Sequence, residues 1–479
     1  MKMRAVRSHI LSELLLVFVL LILAILVRWQ TFANPVIGFD EQFYLLVGHE
    51  MWHGMVPYVD IFDRKPIGLF LLYAGADALG SDGFIQYKLV ALGFVTTTAF
   101  LIYRGALRIS TPFAALVVAC FYIIWLNFME GEGGQSEVFF NLPMVAAGLL
   151  VWSAFETRQN VVRRGALAML LVGTGLQIKY TVVFEGVFFG CVLLWARYLV
   201  DKRILGLSLS AMLWISCALF PTGLATAYYW HIGALHQFVF ANFFSMFGKH
   251  IGVQVYNSSE ILLILMPLLL LTLSCWRQRS ASHRFLCMWL VASVLGVIAM
   301  GCFGSSHYGM PILVPASLAA APFFATAKRA KVYAATILSL LFVAAQIVLA
   351  RVEYLKGGNA AAKAIALAAH SDHGCIYVYD GYPALYLLTH SCLPTRWVFP
   401  GHLNTQDEAF PAALGIDPVA EVRRILATHP PVIVTDTPAY AGVNLATHAL
   451  VEAALAKDYR LTLRYRTGVV RDRLVYRLK

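Results

Sequence analysis

The sequence predicts a polytopic α-helical membrane protein of about 11 spans, counting two short half-spans, with a small C-terminal α/β domain. Three observations predict it. Of 479 residues, 59% are hydrophobic and 13% charged, and the mean hydropathy is +0.70. A soluble domain is about half apolar and a quarter charged, so a large soluble core is excluded. Apolar runs of membrane length recur as far as residue 350. Beyond that point short β-rich runs alternate with helical ones.

The first run, residues 11–27, reads LSELLLVFVLLILAILV and is long enough to cross a bilayer. Met1-Lys2-Met3-Arg4 before it resembles the start of a signal peptide. The run is too long for one and lacks a small-residue cleavage site, so a retained span is expected. A loop over 29–83, rich in charge and aromatics, precedes re-entry at Phe84. Further apolar runs lie at 84–103, 112–127, 138–155, 165–178, 181–196, 206–229, 260–276, 285–303, 309–326 and 332–350. Lys179 and Tyr180 divide 165–178 from 181–196, which suggests two half-spans or a broken re-entrant hairpin. Such a break must be shielded from lipid by protein.

Basic residues set the expected orientation. Lys2, Arg4, Arg7, Arg104, Arg108, Arg158, Arg163, Arg164, Arg197, Lys202, Arg203, Arg277, Arg279, Arg284, Lys328, Arg329 and Lys331 fall on one side of alternating spans. That side is cytoplasmic by the positive-inside rule. The net charge of +11 is therefore a topology signal, and no nucleic-acid partner is expected. The opposite loops carry Asp40, Glu41, Glu50, Asp60, Asp63, Asp77, Asp82, Glu130, Glu132 and Glu137. The expected division is a transmembrane domain over 1–350 and an extracytoplasmic α/β domain over 351–479. In the latter, CIYVYD (375–380), PVIVTD (431–436), YRLTLRY (459–465) and RLVYRL (473–478) read as strands. The eight cysteines show no CxxC or paired zinc spacing. Cys375 and Cys392 either pair in an oxidising compartment or stay two separate thiols.

Several motifs admit two readings. His49-Glu50-Met51-Trp52-His53 matches the zinc motif H-E-x-x-H, which points to a metalloprotease. The other reading is an interfacial helix over 41–53, with Tyr44, Leu45, Met51 and Trp52 at the membrane surface. Gly54 stops that helix before a third ligand, and no residue is assigned to a metal. Asp40-Glu41 stands at the helix start, where Asp40 reads as an N-cap and Glu41 as a first-turn acid. Ser136 reads as the N-cap of the next acidic helix start, with Glu137 in its first turn. Lys179 is an intramembrane charge, functional by default, or a snorkelling lysine. His307-Tyr308 reads as an aromatic-belt pair.

Taken in order, these pieces resemble another pattern: Asp40-Glu41 after the first span, Gly54-x-x-Pro57-Tyr58-x-Asp60 with Phe62-Asp63-Arg64-Lys65-Pro66, Ser136-Glu137, Gly175-Leu-Gln-Ile-Lys179, His307-Tyr308-x-x-Pro311-x-x-x-Pro315 and Thr395-Arg396-Trp397-x-Phe399-Pro400. The set is similar to the polyprenyl-phosphate-dependent glycosyltransferases of the GT-C fold. The nearest resemblance is to the bacterial branch holding the lipid A aminoarabinose transferase, rhizobial lipopolysaccharide galacturonosyltransferases and relatives of protein O-mannosyltransferases. One departure is Ile67 after Lys65-Pro66, where that family often has a second proline; the loop is then less rigid.

The resemblance implies an inverting transferase of the inner membrane with a lipid-phosphate sugar donor. Its acceptor would be an envelope glycan, lipid or protein. It implies Asp40 and Glu41 as catalytic residues, with Asp40 the base. It implies Arg64, Lys65 and Lys179 at the donor phosphate, and Asp63, Tyr58, Glu137, His307 and Tyr308 at the substrate. The chemistry suits them: a carboxylate takes the acceptor proton, and fixed cations meet the charge developing on the leaving phosphate. No cofactor is required, with a divalent cation near Asp40 left open. The alternatives are the zinc protease and a lipid-linked sugar transporter. The transporter reading expects matching broken helices in two repeats, and the sequence offers one broken hairpin.

Overall fold

A computed structural model describes residues 2–80, 82–247, 255–276, 280–299, 305–440 and 442–479. Arg277, Arg279, Met1 and the end of the 285–303 run therefore lie outside the described residues. Among the described residues, nine helices are long and apolar enough to cross a membrane. They are Ile10–Thr31, Phe84–Ala106, Pro112–Met129, Ser136–Thr157, Tyr180–Val200, Ile204–His231, Ala281–Ala299, Ser306–Thr326 and Ala330–Ala369. In the last, Gly357 (φ +87°) and Gly358 separate helix Ala330–Lys356 from helix Asn359–Ala369.

The expected pair of half-spans resolves differently. Val161–Leu176 is short, at 16 residues, but the segment after Lys179 runs 21 residues, from Tyr180 to Val200. Only the first is shorter than a full span. The 260–276 run lies in helix Val255–Trp276, whose apolar stretch Glu260–Leu273 is likewise shorter than a full span.

The chain forms two compact units. The first comprises Met1–Trp29, Lys88–Ala225 and Val253–Leu349. It is the helical bundle, and small residues let its helices approach closely. A Cβ on Gly148 would fall 2.3 Å from the Trp289 ring, and one on Gly173 would fall 2.5 Å from the Ala218 carbonyl.

The second unit comprises Gln30–Tyr87, Thr226–Gly252 and Ala350–Lys479, so the first loop packs with the C-terminal segment. Its sheet has the order β1-β2-β4-β3, with β1 Tyr377–Val378, β2 Val432–Thr437, β3 Tyr459–Thr467 and β4 Arg471–Leu478. β1 and β2 are parallel, and β4 runs antiparallel to β2 and to β3. β2 is buried from Val432 to Asp436, as a strand covered on both faces should be. Cys375 and Cys392 form a disulfide across 17 residues of sequence.

The first-loop helix, Phe39–Trp52, is not the surface helix of the interfacial reading. Glu41 through Gly48 are all buried, Tyr44 and Leu45 included. Burial on every face means it is covered by protein rather than lying on lipid. Helix Ile67–Asp77 crosses it where a Cβ on Gly48 would lie 2.6 Å from the Ala74 nitrogen. Trp52 donates its indole N–H to the Ala74 carbonyl at 2.9 Å. On the other side Phe39 and Phe43 each meet the Phe399 ring at 5.1 Å between centroids. Trp52 itself stays exposed.

Candidate active site

In the second unit the helix Phe39–Trp52 begins at Gly38, which takes the N-cap position expected of Asp40. Asp40 and Glu41 instead occupy the first turn, where a carboxylate meets the positive end of the helix dipole. Consecutive helical residues point about 100° apart, and these two part company. Glu41 is buried, and its carboxylate fills the space a Cβ on Gly38 would need, at 2.4–2.7 Å. Asp40 is half-buried. Its Oδ2 accepts a hydrogen bond from the Tyr44 hydroxyl at 3.3 Å, one helical turn on.

The segment 57–66 brings a cation to the same tyrosine. Tyr58 holds a left-handed backbone, φ +69°, a costly conformation for a bulky side chain that surrounding contacts must hold. Here its N–H bonds the Ile61 carbonyl at 2.6 Å and its hydroxyl donates to the Lys65 carbonyl at 2.6 Å. Phe70, Tyr229 and Phe238 surround its ring. The turn so fixed ends at Pro66, the N-cap of helix Ile67–Asp77. Ile67, the departure from Lys-Pro-Pro, thus opens a helix directly. The half-buried Lys65 places its ammonium 5.7 Å from the centre of the Tyr44 ring, within cation–π range. Tyr44 therefore touches the expected base through its hydroxyl and an expected phosphate cation through its face.

Asp63 is buried and accepts the Arg64 backbone N–H at 2.7 Å. Burial pushes its carboxyl up to about 6 against the pull of Lys65 and Arg64, with the charge of Asp40 adding to the rise. Arg64 turns elsewhere. Its two terminal nitrogens donate to the two carboxylate oxygens of Glu408 at 2.7 and 2.6 Å. It also bonds the Ser245 hydroxyl at 3.1 Å and the Ala413 carbonyl at 2.7 Å. This is a bidentate, buried clamp between the first loop and the C-terminal segment. Glu408 was not legible as a partner, since 344 residues separate it from Arg64.

His49 meets Asp77 at 3.0 Å, and its ring centre lies 4.7 Å from that of His53. Among the described residues, no three His, Cys, Asp or Glu side chains gather as a metal-binding group.

The remaining expected residues gather in the first unit. Lys179 forms a buried ion pair with Glu137, and its ammonium lies 4.1 Å from the Tyr308 ring centre. Tyr308 stacks on His307 at 4.5 Å, and His307 approaches Glu130 at 3.3 Å. Gln135, not Ser136, caps helix Ser136–Thr157; the Ser136 hydroxyl donates to Glu137 at 2.9 Å. Two further residues escaped the sequence reading. Arg28, at the end of the first span, donates to the carbonyls of Gly131 and Gly133 and pins the acidic loop. Glu185 is a buried carboxylate accepting the Trp289 indole N–H at 2.6 Å and the Ser293 hydroxyl at 3.3 Å. A cavity of about 20 Å³ touches Thr181, Glu185, Ser293 and Tyr308. An acid inside an apolar run was the signal that could have found Glu185.

No family model matches the sequence, and no curated protein matches it. Solved structures do. ArnT from Cupriavidus metallidurans bound to undecaprenyl phosphate aligns over 97% of this chain and 97% of its own, with TM-score 0.59 and 12% identity. The apo form of the same protein aligns over 98% of each chain at TM-score 0.59 and 12% identity. The arabinofuranosyltransferase AftD from Mycobacteria aligns over 98% of this chain and 40% of its own, with TM-score 0.53 and 14% identity. At such identities the likeness is one of fold. The chain is a multi-pass membrane protein with the ArnT-like GT-C fold that its motifs resemble.

Proposed function

We propose that this chain is an inverting glycosyltransferase that moves a sugar from a polyprenyl-phosphate donor to an envelope glycolipid, polysaccharide or protein. The observation that carries the reading is the Asp40–Tyr44–Lys65 arrangement, a carboxylate and an ammonium held on one tyrosine. Asp40 takes the proton of an acceptor hydroxyl as its oxygen attacks the anomeric carbon. The carbon–oxygen bond to the donor phosphate breaks, and the polyprenyl phosphate leaves as an anion beside Lys65. One displacement inverts the anomeric centre. Tyr44 orients both groups, and the buried Asp63 feels the charges of both Lys65 and Asp40. The fold likeness to ArnT with undecaprenyl phosphate bound supports a lipid-phosphate donor.

In this reading Arg64 keeps the loop in shape through Glu408. Lys179, Glu137, His307 and Tyr308 contribute a second polar centre for substrate in the bundle. The basic loops put the N-terminus in the cytoplasm and the first loop with residues 351–479 outside. The Cys375–Cys392 disulfide suits that oxidising side. Incubating the purified protein with polyprenyl-phosphate sugars and envelope acceptors tests the reading. It expects a product of inverted anomeric configuration that Asp40→Asn does not form. Comparing envelope glycans with and without the protein then names sugar and acceptor.

A further inference from the structure

The hairpin of β3 and β4 neutralises its arginines with carboxylates, except at one end. Arg464 and Arg466 both bond Asp472, at 2.6 and 3.0 Å, and Arg471 and Arg473 both reach Asp436. Arg460 and Arg477 are different. They are directly opposed in the strand register, a placement in which like charges repel across the ladder. Arg477 turns its guanidinium to the carbonyls of Ala368 and His370. The Arg460 side chain is exposed and makes no hydrogen bond or ion pair among the described residues. Uncompensated like charges in direct opposition cost stability unless something anionic joins them.

Both arginines line a cavity of about 680 Å³, within the size range of small-molecule sites. His373 and His429 add ring nitrogens to its wall, and no aspartate or glutamate lines it. The acid nearest in sequence, Asp372, is exposed and lies 3.3 Å from His370. Cys375 also lines the cavity, and the disulfide to Cys392 ties its segment to the one carrying the lining residues Leu393 and Pro394. The disulfide thus ties two of the wall segments together, and the lining includes two guanidinium side chains, that of Arg477 already bonded to backbone carbonyls and that of Arg460 left over.

We propose that this cavity is an oxyanion-binding site, taking the phosphate or carboxylate of a small acidic saccharide between Arg460 and Arg477. The site is separate from the residues assigned to transfer and does not depend on that assignment.

Equilibrium dialysis of the detergent-solubilised full chain at low salt tests it, with glucose 1-phosphate, glucuronate, inorganic phosphate and neutral glucose as probes. The sugar phosphate or glucuronate is retained and glucose is not; which of the two binds tighter separates phosphate from carboxylate recognition. Arg460→Glu and Arg477→Gln each weaken retention at least about tenfold, the worth of a charge-assisted contact. Arg460 makes no contact the fold needs, so its variant remains informative if Arg477→Gln fails to fold. Inorganic phosphate held as tightly as glucose 1-phosphate supports the oxyanion site and makes the sugar body a bystander. Absence of anion retention, equal retention of glucose, or retention indifferent to Arg460→Glu overturns the proposal.

Discussion

Arg64 grips both carboxylate oxygens of Glu408, at 2.7 and 2.6 Å, although the two are 344 positions apart in the chain. The side chains are only 9% and 5% exposed. Removing one partner of such a pair strands a buried charge, at a cost of roughly 3–5 kcal/mol. Glu408→Ala should therefore lower the denaturation midpoint sharply, and Arg64→Met with Glu408→Leu together should recover most of the loss. A double variant as unstable as the single one would refute the clamp as the source.

Asp40→Asn keeps the helix start, because Gly38 rather than Asp40 is the N-cap. It removes the proton acceptor. Turnover should fall about 10²–10⁴-fold with the melting temperature little changed. Near-normal turnover in purified protein would remove Asp40 from the mechanism.

Lys65→Ala should weaken donor binding more than acceptor binding, because the ammonium over Tyr44 is assigned to the phosphate. Tyr44→Phe keeps the aromatic face and loses the hydroxyl on Asp40. It should lower turnover while sparing donor affinity. Titration with a polyprenyl phosphate separates the two, and equal donor affinity in Lys65→Ala and wild type would place the phosphate elsewhere.

Asp63 makes stability depend on pH. Its carboxyl stands at about 6 in the fold against an ordinary 3.8, through burial. Between those values the folded chain binds more protons than the unfolded one, so stability declines as pH rises through about 6 and is fully present below about 4. The shift is worth at most about 3 kcal/mol. Asp63→Asn should abolish this decline and gain on wild type at pH 8, as followed by thermal melts across pH. Parallel pH curves for the two proteins would contradict it.

Lys179 and Glu137 neutralise one another inside the bundle unit. Lys179→Met should destabilise by roughly 3 kcal/mol or more by leaving Glu137 uncompensated, and adding Glu137→Gln should restore part of it. Chemical denaturation of the three variants measures the coupling; additive losses would mean the pair is not energetically joined.

The local and patterned features were legible in the sequence. Among the described residues the long apolar runs are helical, because a helix satisfies its own backbone hydrogen bonds in lipid. The composition change after Ala350 marks the α/β segment because strand alternation and turn residues are local signals. Asp40, Lys65, Glu137, Lys179, His307 and Tyr308 were visible as candidates through their residue types and their places beside the apolar runs.

What the sequence by itself determined is therefore the membrane class, the positions of the helices and the residue types available for chemistry, all of which follow from solvation and short-range periodicity. Tertiary structure alone decided which groups meet. It buried the helix Phe39–Trp52 against Ile67–Asp77 and Phe399 instead of on lipid, and joined Arg64 to Glu408. It closed the disulfide between Cys375 and Cys392 and set Arg460 against Arg477. These pairings depend on packing and strand register between segments far apart in the chain, and no local pattern of residues carries that information.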